Sequence, residues 1–201
     1  MPARVRLALA VAGVLVLAGL AGLLAFRGGE RAAEGGVFAG FVRPAGIAPA
    51  ELTGLRDQDG RPASLRSLRG KVVVVTFLYT TCRDTCPLTA DQVRGALDDL
   101  DRDVPALAVS VDPPRDTADR ARRFLLQRRL SGRMRFLVGA RADLARQWRA
   151  YGIQPQGEDF EHSASVVLLD RRGRQRVGFP VSQLTPEALA HDIRVLQAEP
   201  A

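Results

Sequence analysis

Val72-Val-Val-Val-Thr-Phe-Leu-Tyr79 runs directly into Thr80-Thr-Cys82-Arg-Asp-Thr-Cys86-Pro87. The first eight residues are continuous, apolar and rich in β-branched side chains, the pattern of a central strand buried on both faces. The cysteines that follow are the only two in the chain. After them Leu88 to Leu100 reads as a helix, with Val93, Ala96, Leu97 and Leu100 on one face. A strand therefore carries the pair to the edge of a sheet, and a helix N-terminus receives it. Amide N–H groups and the positive end of the helix dipole stabilise thiolates there. Thiolates bind soft metals and attack disulfides, so the location points to chemistry.

Outward from this segment, strands and helices alternate. Pro105 to Val111 is a second buried strand, and it runs into Asp112-Pro-Pro-Arg-Asp-Thr117. Thr117 opens a helix through about Arg129, anchored by Phe124 and Leu125. Arg135 to Gly139 is a third strand, and Asp143 to Tyr151 a helix carrying Leu144, Trp148 and Tyr151. Ser165–Leu169 and Gln175–Phe179 flank Asp170-Arg-Arg-Gly-Arg, the spacing of an antiparallel hairpin. Thr185 to Gln197 closes the chain as a helix with Pro186 at its first position. Upstream, Glu51 to Leu55 reads as a short strand, Asp57-Gln-Asp-Gly60 as a turn, and Ser64 to Gly70 as one helical turn. The order predicts an α/β protein of thioredoxin-like fold, with a central mixed β-sheet flanked by helices.

The N-terminus adds a different element. Arg4 and Arg6 precede Leu7 to Phe26, a stretch without charge or proline. As a helix it would span about 30 Å, the hydrocarbon thickness of a bilayer. A cleaved signal peptide is the alternative, but the run exceeds the usual signal core and no clear A-x-A site follows. The predicted organisation is a transmembrane anchor over 1–27, a flexible tether over 28–47 and a globular domain over 48–201. The flanking arginines favour a cytoplasmic N-terminus and an extracytoplasmic, periplasm-like location for the domain. The net charge is +7, and Lys71 is the lone lysine among 29 basic residues. The arginines are interspersed with Asp and Glu, and aromatics are 5% of the chain. That pattern argues against nucleic-acid binding and for a solvated surface suited to anionic lipid or an acidic protein partner.

In a C-x-x-C pair the second thiol lies close under the first. One more residue splays the sulfurs, and on a regular helix positions i and i+4 share a face. Two thiolates alone leave most metals short of ligands, so a third is expected. Of the two histidines, His191 lies in the terminal helix and reads as a partly exposed helical residue. His162 sits in the polar loop Gly157-Glu-Asp-Phe-Glu-His162-Ser-Ala-Ser165, just before a strand. It reads either as a loop residue capping local backbone or as the third ligand. A Cys2His set suits copper, and zinc accepts it too.

Three segments together resemble the SCO/SenC family of copper chaperones: Thr76-Phe-Leu-Tyr-Thr-Thr-Cys82-Arg-Asp-Thr-Cys86-Pro87, Val109-Ser-Val-Asp112-Pro-Pro-Arg115-Asp116-Thr117, and Phe160-Glu161-His162-Ser163 followed by a strand and Asp170-Arg-Arg-Gly173. They occur in family order across roughly residues 50–197. The resemblance implies a thioredoxin-like, membrane-anchored, extracytoplasmic protein. It implies one bound copper ion, Cu(I) or Cu(II), on Cys82, Cys86 and His162. It further implies assistance in assembling the dinuclear copper centre of cytochrome c oxidase subunit II, with Asp112 near the metal and in contact with the partner. Two positions depart from the family pattern: Arg83 stands where proline is frequent, and Glu161 where aspartate is. Arg83 is a further candidate for lowering a thiol pKa.

Two other readings of the same residues stand beside this one. An extracytoplasmic thiol–disulfide oxidoreductase would use Cys82 as attacking thiolate and Cys86 as resolving thiol. Such proteins usually carry a proline before the strand facing the cysteines, and Glu158 to Ser165 contains none. A peroxidase of the same superfamily would place threonine and arginine around its cysteine, a pattern not clearly present here.

Overall fold

Five of the six strands of this protein have mostly buried side chains. The computed structural model describes residues 37–47, 49, 51–154 and 165–200. Its strands are β1 (Phe41–Val42), β2 (Val73–Leu78), β3 (Ala106–Ser110), β4 (Met134–Leu137), β5 (Ser165–Leu169) and β6 (Gln175–Pro180). They form one mixed sheet in the order β1-β6-β5-β2-β3-β4. β2 pairs parallel to β3 and antiparallel to β5, so the all-buried run read from the sequence is a central strand.

The helices are α1 (Thr85–Asp98), α2 (Ala118–Gln127), α3 (Arg141–Tyr151) and α4 (Pro186–Ala198). Side chains alternate across β2. Val74 and Leu78 join the apolar cluster built with α1, α2 and α4. Val73, Val75 and Phe77 join the cluster on the opposite face with α3, where Phe77 meets Tyr151 at 5.1 Å between ring centroids. The β2–α1–β3 and β3–α2–β4 units step the same way across the sheet. Right-handed crossovers then place α1 and α2 on one face. Among the described residues no helix is long and apolar enough to cross a membrane; the expected anchor, Leu7 to Phe26, lies outside them.

Several boundaries differ from the sequence reading, each for a local reason. α1 begins at Thr85 rather than Leu88. Pro87 occupies its first turn, where a missing N–H costs no hydrogen bond. The segment 51–55 is not a strand: Leu55 N–H donates to the Leu52 carbonyl, 3.1 Å, and Gly54 has φ +85°. A side chain at Gly54 would place Cβ 2.6 Å from Asp143 Cγ, so the chain turns there and tucks Leu52 and Leu55 under α3.

The third difference concerns the tether. Residues 28–47 read as irregular, yet the residues from Phe38 on belong to the compact unit. Phe41 and Val42 pair antiparallel with Gly178 and Val177. Ala39 and Gly40 N–H groups donate to the buried Asp192 carboxylate, at 2.8 and 2.9 Å. Close approach requires glycine on both sides. A Cβ on Gly40 would lie 2.8 Å from the Gly178 carbonyl oxygen, and one on Gly178 would collide with the Phe41 ring. This stretch carries no periodicity because only two residues pair and both are exposed.

The predicted turn at Asp57 to Gly60 carries a buried charge. Asp57 is 0% exposed and accepts from the N–H groups of Asp59 and Arg61, at 3.0 and 2.9 Å, and from Arg135 Nε at 2.8 Å. Burial pushes its carboxyl up, but those amides and the guanidinium more than offset this and hold it below the usual carboxylate range. A depressed folded pKa contributes stability above the unfolded value, about 3.9, which is lost as pH falls through the folded value. Asp57→Asn is therefore expected to cost about 2 kcal/mol at neutral pH. In thermal melts across pH, the gap to the parent should narrow only below pH ~4.

Candidate metal centre

The carboxyl ends of β2 and β3 lie side by side because the strands are parallel, with Leu78 opposite Ser110. The chain leaving β2 turns through Tyr79, Thr80 and Thr81, and Cys82 N–H donates to the Tyr79 carbonyl at 3.4 Å. Asp84 then caps α1, its carboxylate accepting from Thr85 N–H. The helix starts so early that Cys86 lies in its first turn.

Neither cysteine is in a disulfide, and their surroundings differ. Cys82 is half-buried; its Sγ accepts from Cys86 N–H at 3.3 Å and donates to Asp84 Oδ1 at 3.5 Å. Cys86 is 0% exposed within the α1-face cluster. Burial pushes its thiol well up, the nearby Cys82 and Asp116 add to this, and a backbone hydrogen bond at Tyr79 opposes it. The Asp84 carboxyl is held low, first by the Thr85 amide and then by the Thr85 and Cys82 side chains. Arg83 is exposed, and the charged group that reaches the Cys82 sulfur is Asp84. Thiolate fraction and access control alkylation, so in the metal-free protein iodoacetamide is expected to modify Cys82 at least about tenfold faster than Cys86 at neutral pH. Peptide mapping of partly labelled protein checks this order.

Asp112 follows β3 and is 5% exposed. Its Oδ2 accepts from Arg115 Nε at 2.5 Å, and the Arg115 side chain is 57% exposed. What this loop presents to solvent is thus mainly the guanidinium. Asp116, quoted in the sequence motif but given no role there, lies deeper. Thr80 N–H and Oγ1 donate to its Oδ1 at 2.7 and 2.6 Å, and Ser110 Oγ donates to its Oδ2 at 2.6 Å. Burial raises its carboxyl pKa, with the Ser110 and Thr80 hydrogen bonds opposing.

His162 lies outside the described residues. β5 begins just beyond it in sequence, and Val166 pairs with Thr76 near the carboxyl end of β2. Ser165, the first residue of β5, accepts from Thr76 Oγ1 through its carbonyl at 3.2 Å. His191 is the partly exposed helical residue its position suggested, with Nδ1 2.9 Å from Asp192 Oδ1. Among the described residues no three His, Cys, Asp or Glu side chains cluster to hold an ion. The structure brings together two soft sulfur donors at the start of one helix, one buried and one accessible. That donor chemistry fits a soft, thiophilic metal such as Cu(I) or a two-electron thiol exchange.

Residues 53–198 match the family model SCO1/SenC. A SCO1 protein homolog of Bacillus subtilis is 30% identical over 129 residues, covering 59% of this chain and 67% of that protein. Curated relatives can be much longer: the match covers 37% of the mitochondrial SCO1 homolog 1 of Arabidopsis thaliana. Among solved structures, Bradyrhizobium japonicum ScoI with copper bound is 31% identical, with TM-score 0.56 over 70% of this chain and 94% of that one. BsSco, described as a member of the Sco family of cytochrome c oxidase assembly proteins, is 24% identical. It superposes with TM-score 0.66 over 79% of this chain and 99% of its own, which establishes likeness of fold.

Proposed function

This chain belongs to the SCO1/SenC family, and from that premise we propose that it is a copper-binding assembly factor for cytochrome c oxidase. The observation that carries the reading is the pair of reduced thiols at the start of α1. Cys82 and Cys86 supply two sulfur donors, and His162 supplies the imidazole. The pairing of β5 beside the end of β2 supports that third ligand, because His162 lies three residues before Ser165.

The copper ion is cargo. A donor atom of the partner enters at the accessible Cys82 side while one protein ligand leaves, so the ion is never released to water. Buried Cys86 retains the ion and half-exposed Cys82 is where exchange begins. The target is the dinuclear copper site of subunit II. Leu7 to Phe26 anchors the protein in the membrane, with the domain on the periplasmic side. The interspersed charge of the surface supports a protein partner rather than nucleic acid.

A second reading rests on the same asymmetry of the thiols. Cys82 thiolate attacks a partner disulfide and expels one partner thiolate. Cys86 then displaces the second, leaving Cys82–Cys86 oxidised and the partner reduced by two electrons. Copper titration of the reduced, detergent-solubilised full chain separates the two. The copper reading expects one retained ion per chain, loss of retention in His162→Ala, and negligible disulfide turnover. Fast turnover with His162→Ala binding copper as the parent does would favour the oxidoreductase.

A further inference from the structure

We propose that Asp116 is the positioning residue of the dithiol site, a clamp that holds the Cys82 turn against β3. The consequence for copper rests on the function proposed above; the clamp itself is a property of the metal-free protein. Asp116 is 5% exposed. A buried carboxylate is costly unless hydrogen bonds replace its water. Three do so here, and their direction is informative. Two come from Thr80, two residues before Cys82, and one from Ser110 at the end of β3.

Ser110 is itself immobilised. Its carbonyl accepts from Trp148 Nε1 at 2.9 Å, and its hydroxyl also accepts from Asp112 N–H at 3.2 Å. The contacts therefore run from the α3 core through Ser110 and Asp116 to Thr80. From there the turn leads to the sulfur that accepts the Cys86 N–H. Beyond its electrostatic push on the Cys86 thiol, this bridge is what Asp116 does in the fold. Thr117 caps α2, its Oγ1 accepting from Arg120 N–H, and Arg115 engages Asp112. A side chain in Asp116's place without acceptors would leave Thr80 N–H unpartnered and release the turn that sets the spacing of the sulfurs. Asparagine keeps an oxygen toward Thr80 and is expected to restore part of the hold.

The test compares the full-length parent with Asp116→Ala, Asp116→Asn and the remote core variant Leu196→Ala, which controls for general loss of stability. In metal-free protein, hydrogen exchange at the Thr80 amide should accelerate at least about tenfold in Asp116→Ala, with Asp116→Asn between it and the parent. In copper-loaded protein, transfer to a Cu(I) chelator should quicken in the same order, while Leu196→Ala melts lower yet transfers like the parent. The proposal is overturned if Thr80 exchange in both Asp116 variants matches the parent. It is also overturned if Leu196→Ala speeds transfer as much as Asp116→Ala at equal melting loss. A parent that retains no copper would instead refute the copper reading, while the exchange comparison still decides the clamp.

Discussion

Replacing both cysteines by serine, Cys82→Ser with Cys86→Ser, is expected to abolish copper retention by the full-length chain, a loss of affinity of more than about 100-fold. The exchange replaces each sulfur with oxygen at nearly constant shape. Serine hydroxyls do not ionise near neutral pH, and oxygen is a hard donor, so the soft part of the site disappears. The fold should survive. The hydroxyl at position 82 would remain half-exposed beside Asp84. The one at position 86 would sit in the first turn of α1, where hydroxyls readily hydrogen-bond nearby backbone. The single variants should differ. Cys82→Ser removes the accessible donor and leaves packing intact. Cys86→Ser puts a hydroxyl into a position that is 0% exposed and should lower the melting temperature as well. Copper counted per chain after dialysis, beside a thermal melt, separates loss of ligand from loss of fold.

Asp192→Ala should release the segment that leads into the sheet. The carboxylate is 0% exposed and accepts from the N–H groups of Ala39 and Gly40. Hydrogen bonds to a charged acceptor contribute about 1.5–3 kcal/mol each. Losing both should speed hydrogen exchange at these two amides by about 100-fold or more. Gly178→Val should give the same result by another route, because its Cβ would collide with the Phe41 ring while Asp192 stays intact. Parent-like exchange in both variants would mean that residues 38–42 are held by something else.

The parts of the fold legible in the sequence were those whose pattern is set by burial. β2 and β3 are buried on both faces and read as apolar runs. The β5–β6 hairpin reads from its turn, α2 from Thr117, and α4 from Thr185 with Pro186 at its first position; the two threonines are the N-caps. What the sequence hid depends on contacts between distant residues. β1 is specified by glycines at 40 and 178 and by Asp192, none of which gives a local strand signal. The start of α1 was misplaced because Pro87 reads as a helix boundary although it is well tolerated in a first turn.

The site divides in the same way. The two cysteines and Asp112 are visible from spacing and motif. The role of Asp116 is not, because Thr80 lies 36 positions away and meets it only once β2 and β3 pair in parallel. The sequence also pointed to Arg83 as the charge that tunes the thiols. In the folded chain Asp84 reaches the Cys82 sulfur, since its carboxylate at the cap of α1 lies beside that turn.

X-ray absorption at the copper edge of the loaded full-length protein, compared with its His162→Ala variant, bears most directly on the copper site. Two sulfur scatterers with one imidazole nitrogen in the parent, and the same two sulfurs without the imidazole in the variant, are the predicted result. A copper shell of oxygen and nitrogen only, or identical spectra for the two proteins, would contradict it.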